Sequence, residues 1–234
     1  SIADSKDIFD VVGHASSLHI TQGVNGTAMN EVFDTSPYIY IFSIWDWQGA
    51  SQSGLVSRFW KSNMTYAGWQ KFINASNSTA CEAGFKIGNY WYVGFGKGDN
   101  KGYIRKYYED ATGEWHFITE YWIDSDINGM DYFCDYYDGQ WQYFLVCSEH
   151  EDSAGGDLRV YLADFSLNND SNDQFTFLQE FSGTVDEFGQ GVCAVNHSGH
   201  ELWICQRVDY NGNSVLKIRD LNLWQHVQTT TVPA

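Results

Sequence analysis

Basic residues and prolines are both scarce in this sequence, and each shortage limits what the protein can be. Lys and Arg number 13 against 30 Asp and Glu, which gives a formal net charge of −17. Binding a nucleic-acid backbone needs clustered Lys and Arg, and an anionic membrane surface would repel so acidic a chain. The composition therefore argues against both partners and leaves cations, basic partners and neutral ligands such as sugars open. With 2 Pro against 22 Gly, the turns are expected to use mainly Gly, Asn, Asp and Ser.

Long apolar runs and the common catalytic motifs are missing as well. No apolar run approaches the ~18 residues of a membrane-spanning helix, so no membrane insertion is expected. The sequence has no Gly-x-Ser-x-Gly motif, phosphate loop, dinucleotide fingerprint or Cys-x-x-Cys pair. The chain begins at Ser1 without a signal peptide, which fits a mature, processed product.

Aromatic residues are abundant, and the chain repeats itself. Phe, Trp and Tyr make up 17% of the residues, and aromatic side chains favour β-strands. Each repeat has two strand segments joined at a turn pair, a third alternating segment, and a fourth that begins with Trp or Phe. This pattern predicts a single-domain, all-β propeller with four complete four-stranded blades. The repeats span approximately residues 25–80, 81–128, 129–188 and 189–234.

The N-terminal segment, residues 1–24, complicates the blade count. Residues 7–12 and 17–21 resemble the third and fourth strands of a blade whose first two strands are missing. The alternatives are therefore an added ribbon on a four-bladed ring, a partial fifth blade, or a fragment of a longer repeat precursor. A β-sandwich is the less favoured fold, because it would not require the same four-strand signature in every repeat.

An acidic string between the second and third repeats suggests a cation site. Oxygen ligands alternate along it, with Gly129 available for a sharp turn, which suits Ca²⁺. The predicted ligands are Asp124, Asp126, Asn128 and Asp131. Together with the ten residues that follow, the string resembles the calcium loops of FG-GAP-type propeller repeats, although one residue is missing before Asp131. The resemblance implies Ca²⁺ as a cofactor; the alternative is an acidic turn capped by its own side chains.

Four acidic residues lie near the predicted first strands of the repeats, namely Glu31, Glu82, Asp131 and Glu187. First strands line the central channel of a propeller, so these carboxylates could converge at one mouth. Converging carboxylates would hold a cation or provide the acid and base of a glycoside hydrolase. The alternative is that they are solvated strand ends, because their offsets from the following turns differ.

The loops between second and third strands carry aromatic and polar residues that suit sugars. Aromatic faces stack on sugar rings, while Asp and Asn bind hydroxyl groups. The candidate ligand-binding residues are Trp45, Asp46, Trp47, Asp99, Asn100, Glu151, Asp152, Tyr210 and Asn211. Trp91, Trp141 and Trp203 are instead expected to pack between blades.

Six sequons and five cysteines point to the secretory route. The predicted N-glycosylation sites are Asn25, Asn63, Asn74, Asn77, Asn169 and Asn196. Cys134 and Cys147 flank one predicted hairpin, and Cys193 and Cys205 flank another, so one or two disulfides are expected, although the spacing does not give their connectivity. The odd count leaves at least one thiol free or paired between chains.

These features predict a secreted, lectin-like glycoprotein that binds glycans or glycoproteins, with Ca²⁺ as an aid. The repeated aromatic loops and the missing catalytic motifs favour this function. A glycoside hydrolase that uses the inner-strand acids is one alternative. An extracellular structural glycoprotein that assembles into an oligomer through an incomplete blade is the other.

Overall fold

The computed structural model describes most of the chain as β-structure. The described residues are 14–20, 23–25, 30–32, 37–45, 53–74, 80–98, 101–137, 140–149, 158–166, 168, 174–183, 187–197, 201–210, 213–220 and 225–232. The strands are β1 His14–Ile20, β2 Gly23–Asn25, β3 Asn30–Val32, β4 Tyr38–Trp45, β5 Ser53–Trp60, β6 Tyr66–Asn74, β7 Ala80–Ile87, β8 Tyr90–Gly98, β9 Lys101–Glu109, β10 Trp115–Ile123, β11 Ile127–Tyr137, β12 Gln140–Glu149, β13 Leu158–Ala163, β14 Phe175–Phe181, β15 Glu187–His197, β16 Glu201–Tyr210, β17 Asn213–Asp220 and β18 Gln225–Val232. The described residues contain no helix with the length and apolarity of a membrane-spanning segment.

The strands form four antiparallel sheets of four strands each, which we number as blades in chain order. Blade 1 is β1-β4-β5-β6, blade 2 is β7 to β10, blade 3 is β11 to β14, and blade 4 is β15 to β18. In blades 2 to 4 each strand pairs with the next strand along the chain. Strands β2 and β3 form a separate two-stranded hairpin.

The first strands of the four sheets close a ring. Strand β1 contacts β7, β7 contacts β11, β11 contacts β15, and β15 contacts β1. Strand β1 also contacts β11 across the ring. Four sheets arranged around a shared axis in this way are the blades of a β-propeller. The predicted fold, an all-β propeller with four complete blades, is confirmed.

The N-terminal strand corrects the predicted composition of blade 1. Residues 17–21 were expected to end a partial blade, but β1 is the innermost strand of blade 1, where Leu18 pairs with Ile41 and Ile20 with Ile39. The segment Asn30–Val32, expected as that innermost strand, pairs with Gly23–Asn25 instead. The longer β1 matches the full apolar length of β4, which a three-residue strand cannot do.

Apolar side chains fill the spaces between neighbouring blades. Phe42, Trp91 and Trp115 lie in the cluster between blades 1 and 2, and Phe85 and Tyr132 lie in the cluster between blades 2 and 3. A third cluster joins blade 3 to blade 4. Because blade 2 has a neighbour on each face, both alternating sides of β8 are buried, with Trp91 on one side and Tyr92 on the other. The packing role predicted for Trp91 is therefore confirmed.

Trp141 does not follow the same prediction. It was expected to pack between blades, but 44% of its surface is exposed. It lies in β12 opposite Tyr136, one pair from the end of the β11–β12 hairpin. Trp91 has the matching position in the β7–β8 hairpin and is fully buried, so the position in the hairpin does not by itself decide the burial of Trp141. The side chain of Trp203 lies outside the described residues.

Candidate functional site

A cleft of about 920 Å³ lies between the outer strands of blades 2 and 3. We call it the inter-blade cleft. Blade 2 contributes the start of β9 and the end of β10, and blade 3 contributes β13 and β14. Its lining residues are Lys101, Trp122, Ile123, Asp124, Arg159, Tyr161, Phe175, Phe177 and Glu180. The volume falls within the range of small-molecule binding sites in proteins.

Two large aromatic side chains in the lining are open to solvent. Trp122 is 41% exposed and Phe177 is 53% exposed. Each ring is supported from behind by a buried tyrosine: the Trp122 ring lies 5.5 Å from that of Tyr103, and the Phe177 ring lies 5.9 Å from that of Tyr161. Because Tyr103 belongs to the cluster between blades 1 and 2, the Phe177 ring, packed on Tyr161, is the exposed apolar surface that faces the cleft.

The floor of the cleft is a contact between the two blades. The ring of Tyr121 in β10 meets that of Phe175 in β14 edge to face at 5.6 Å. Alternation along β10 directs Tyr121 and Ile123 towards blade 3, whereas the exposed ring of Trp122 lies on the opposite face, against Tyr103 of the cluster between blades 1 and 2. The blades are therefore in contact at the floor and separate further out, which leaves the cleft open.

An arginine network forms the charged part of the lining. Arg159 Nε donates to Glu180 Oε2 at 3.0 Å, and Arg159 Nη1 lies 3.1 Å from Glu149 Oε1. Burial by itself would lower the pKa of Arg159, but the Glu149 carboxylate, Tyr161 and the hydrogen bond to Glu180 together raise it. Glu149 is fully buried, so its charge is balanced by this guanidinium.

The same network fixes the backbone at Asp124. The carbonyl oxygen of Asp124 accepts hydrogen bonds from Arg159 Nη1 and, at 3.0 Å, from the hydroxyl of Tyr161. The Asp124 side chain is exposed, and its carboxylate has no hydrogen bond or ion pair to any residue that the structure describes. A held backbone with an available carboxylate presents a hydrogen-bond acceptor to the cleft. Lys101, also exposed, presents a donor.

The structure separates the predicted calcium ligands. Residues 127–131 belong to strand β11 rather than to a loop, because Ile127 and Met130 are buried in the core between blades 2 and 3. Asn128 Nδ2 donates to the carbonyl of Gly189, and Asp126 is partly buried. Within the described ranges, no three His, Cys, Asp or Glu side chains are grouped as metal ligands. The predicted calcium-loop geometry is therefore wrong, and of its four residues only Asp124 lines the cleft.

Asp131 connects blade 3 to blade 4. Its carboxylate accepts the backbone N–H of Tyr132 at 2.8 Å and that of Ala194 in β15 at 2.9 Å. Burial raises its pKa to about 6, although the two backbone hydrogen bonds pull in the opposite direction. These two hydrogen bonds join the innermost strands of blades 3 and 4.

The four acidic residues predicted to lie on the innermost strands do not all lie there. Glu82, Asp131 and Glu187 lie on the innermost strands β7, β11 and β15, whereas Glu31 lies in the separate β2–β3 hairpin. The prediction that all four line the channel is therefore wrong for Glu31, because β1 takes that position. Only Asp131 has a described side chain.

The predicted sugar-binding loops fall largely beyond the described part of the chain. Trp45 and Tyr210 end strands β4 and β16, and their side chains are outside the description. The residues wholly outside it are Asp46, Trp47, Asp99, Asn100, Glu151, Asp152 and Asn211. The inter-blade cleft was missed because its aromatic residues lie on strands. Strand aromatics give the same sequence signal whether they are buried or exposed.

Among the sequons, Asn63 has the most complete description. It is exposed at the turn between β5 and β6, and its Oδ1 accepts the backbone N–H of Thr65 at 3.1 Å and the Thr65 hydroxyl at 2.8 Å. Asn25, Asn74 and Asn196 lie in strands with side chains outside the description. Asn77 and Asn169 are themselves outside the described residues.

The register of the hairpins distinguishes the two predicted cysteine pairs. Cys134 lies opposite Tyr143 and Cys147 opposite Met130, so these two cysteines are displaced along the ladder, and both are buried free thiols. The expected Cys134–Cys147 disulfide is therefore wrong. Cys193 lies directly opposite Cys205 in the β15–β16 hairpin, but the structure has no disulfide at Cys193.

The fold and the cleft define the chain as a four-bladed β-propeller with an aromatic cleft between two blades. No protein-family model matches it, and no curated protein is found to match its sequence. Among solved structures it is similar to one titled "Structure of Dos1 propeller", with 12% sequence identity and a TM-score of 0.41. The similarity covers 94% of this chain and 48% of that one, so the chain spans about half the length of that structure.

Proposed function

We propose that the protein is a lectin-like, glycan-binding propeller that holds a saccharide in the inter-blade cleft. The single observation that carries the proposal is the exposed ring of Phe177 in a cleft that Tyr161 and Phe175 also line and that offers polar groups. A sugar ring has an apolar C–H face and a rim of hydroxyl groups. It therefore needs an aromatic surface and hydrogen-bonding groups side by side.

The polar groups of the cleft match that requirement. The Asp124 carboxylate can accept hydrogen bonds from hydroxyl groups, and the Lys101 ammonium can donate to them. Arg159 adds a guanidinium group to the lining of the cleft. Because Glu149 and Glu180 hold the guanidinium in place, little side-chain entropy is lost when it binds a ligand.

A glycan array tests the proposal with Phe177→Ala and a matched control. We expect the wild type to bind a defined set of glycans, and Phe177→Ala to lose at least about tenfold in affinity, since the loss of a stacking aromatic ring costs more than 1 kcal/mol. Trp141→Ala is the control, because Trp141 is similarly exposed but is not part of the cleft lining. The proposal fails if the wild type binds no glycan, or if the two variants lose binding equally.

Calcium assistance stays a prediction, and the same array tests it in the presence of EDTA. Unchanged binding after EDTA treatment would contradict it.

The glycoside hydrolase alternative gains no support from the described residues, since the carboxylate of Asp131, one of the proposed catalytic acids, accepts hydrogen bonds from two backbone N–H groups.

Secretion and glycosylation remain part of the proposal. The exposed position of Asn63 supports its use as an acceptor. The register of β15 and β16 is compatible with a disulfide between Cys193 and Cys205. Peptide mass spectrometry of protein secreted from eukaryotic cells tests both the glycan at Asn63 and the disulfide.

Sedimentation at high concentration tests the predicted oligomer, which a strictly monomeric protein would contradict.

A further inference from the structure

We infer that blade 2 carries a second glycan-binding surface, on the face opposite the inter-blade cleft, and that this surface takes an extended, uncharged chain of sugar units. The inference rests on the proposed function, because it assumes that the protein binds glycans, and it adds a site and a ligand class. We call the surface the blade 2 platform. Its residues lie on β9 and β10 and are Tyr103, Arg105, Tyr107, Phe117, Glu120 and Trp122.

The blade 2 platform is turned towards blade 1. Alternation along β9 places Tyr103 and Tyr107 at the cluster between blades 1 and 2, whereas Ile104 belongs to the cluster between blades 2 and 3. The partners of these two tyrosines on β10 are Trp122 and Phe117. Both β10 rings therefore lie on the face of blade 2 that points away from the cleft.

A β-bulge brings Phe117 and Trp122 onto this one face. The two residues are an odd number of positions apart, and in a regular strand such residues point to opposite faces. The register of β10 shifts after Phe117, where Ile118 is the additional residue. Their partners on β9, Tyr107 and Tyr103, are separated by about 13 Å at the usual rise of a strand. This distance exceeds one sugar ring, so only a chain of several units contacts both aromatic rings.

Both rings are exposed, and each is packed on a tyrosine of β9. Phe117 is 58% exposed and Trp122 is 41% exposed. The Phe117 ring lies 5.9 Å from that of Tyr107, and the Trp122 ring lies 5.5 Å from that of Tyr103. Rings supported in this way can stack on the apolar C–H faces of sugar units with little loss of side-chain entropy.

The polar groups between the two rings balance each other's charge. Arg105 Nε donates to Glu120 Oε2 at 2.9 Å, and the guanidinium carbon lies 5.2 Å from the centre of the Tyr103 ring. The pair offers guanidinium donors and carboxylate acceptors side by side, as the hydroxyl groups of a sugar require. One cation and one carboxylate complement an uncharged ligand. An acidic chain would also be repelled by the net charge of −17.

A second copy of the protein is the other occupant that exposed aromatic rings could attract. Two features of the blade 2 platform favour a glycan over it. The centre of a protein–protein interface is depleted of charged residues, whereas an Arg105–Glu120 ion pair lies between the two exposed rings. The bulge at Ile118 also interrupts the edge of β10, which hinders pairing with a strand of another chain.

Isothermal titration calorimetry with neutral oligomers of glucose and of N-acetylglucosamine tests the inference. The starting protein is Phe177→Ala, so that binding at the blade 2 platform is measured with the inter-blade cleft weakened. We expect the affinity for one series to rise about tenfold or more from the dimer to the hexamer, because only longer oligomers reach both rings. Adding Phe117→Ala or Trp122→Ala should remove this gain, and adding Trp122→Phe should keep most of it.

Trp141→Ala is the matched control, because Trp141 is exposed on blade 3, outside both the platform and the cleft lining. It should keep the full gain. Phe117→Leu keeps an apolar side chain without an aromatic ring, so it should lose the gain if the ring stacks on sugar. Thermal unfolding measures whether each variant stays folded, as expected for substitutions of exposed rings.

Equal affinity for dimer and hexamer in both series, an undiminished gain in Phe117→Ala, or tighter binding of an oligogalacturonate overturns the inference. The proposed function still stands in these cases if the wild type binds array glycans that Phe177→Ala weakens. Self-association in sedimentation that Phe117→Ala and Trp122→Ala abolish, without an effect on oligomer binding, assigns the surface to a second copy and also overturns the inference. If the wild type binds no oligomer and no array glycan, the proposed function fails as well.

Discussion

Asp131 is the residue whose titration most directly reports the contact between two blades. Its carboxylate lies between β11 and β15 and accepts backbone N–H groups from both. The sequence showed an acidic residue in a cation-binding pattern, and only the position of β15 reveals that backbone amides occupy its oxygens. The same sequence pattern suits a metal site and a structural hydrogen bond, because both need a carboxylate.

At pH values between about 4 and 6, Asp131 should make the protein less stable as the pH rises. Burial raises the folded-state pKa of Asp131 to about 6, against about 3.9 in an unfolded chain. Between these values the folded state holds the proton more tightly, so raising the pH favours unfolding. Asp131→Asn does not titrate and should lack this part of the pH dependence.

Thermal unfolding of the wild type and Asp131→Asn across this pH range measures the effect. The difference between the two melting temperatures is the informative quantity, because all other titrating groups cancel. A difference that stays constant from pH 4 to pH 6 would contradict the prediction.

At the scale of the elements, the hairpin β11–β12 shows how register controls cysteine chemistry. Cys134 faces Tyr143 across the ladder, and Cys147 faces Met130. Sequence spacing placed both cysteines beside one turn but could not give the register, which depends on where the turn lies and which face is buried.

The prediction of which strand begins blade 1 was wrong for a related reason. Strand β1 and the segment Asn30–Val32 both offered apolar residues to β4, and the longer strand forms the sheet.

Cys134 and Cys147 should resist alkylation in the folded protein and react after unfolding. Both thiols are buried, and burial, followed by the nearby Glu149 carboxylate, raises the pKa of Cys147. The reactive form is the thiolate, which is scarce at both positions. Labelling with iodoacetamide in native buffer and in denaturant, followed by peptide mass spectrometry, measures this. A disulfide between the two, or full labelling under native conditions, would show that the register is wrong.

At the scale of the whole molecule, the distance between blades depends on small residues at the ring. Gly84 in β7 faces blade 1, and a Cβ atom there would overlap the ring of Phe42, which is fully buried. The glycine therefore permits blades 1 and 2 to approach. The sequence alone does not distinguish this glycine from those in turns.

Gly84→Ala should lower the free energy of unfolding by about 1–3 kcal/mol, the usual cost of overpacking a core. Gly191→Ala in β15 is the control, because nothing lies within 4 Å of a Cβ atom at that position. Urea unfolding measures both variants. Equal stability of Gly84→Ala and the wild type would contradict the close approach of the two blades, and replacing Phe42 by Leu in the Gly84→Ala background should recover part of the loss.

The sequence by itself determined the fold class and the number of complete blades. Strand propensity, turn pairs and a repeat of four segments are local properties, and they agree along most of the chain. The local signal that predicted packing for Trp91 was right there but wrong for Trp141, which also follows a turn and is exposed. The tertiary structure decided which strand starts blade 1, which cysteines face each other, and that Asp131 bonds to backbone amides.

The inter-blade cleft belongs to the second group. Tyr121, Trp122 and Phe177 have the same aromatic character in the sequence, yet Tyr121 is buried while the other two are exposed. A strand in a propeller has a neighbour on each face, so alternation no longer separates core from solvent. Exposure depends instead on how far the adjacent blades diverge at each position, and this is set by the packing of the whole ring.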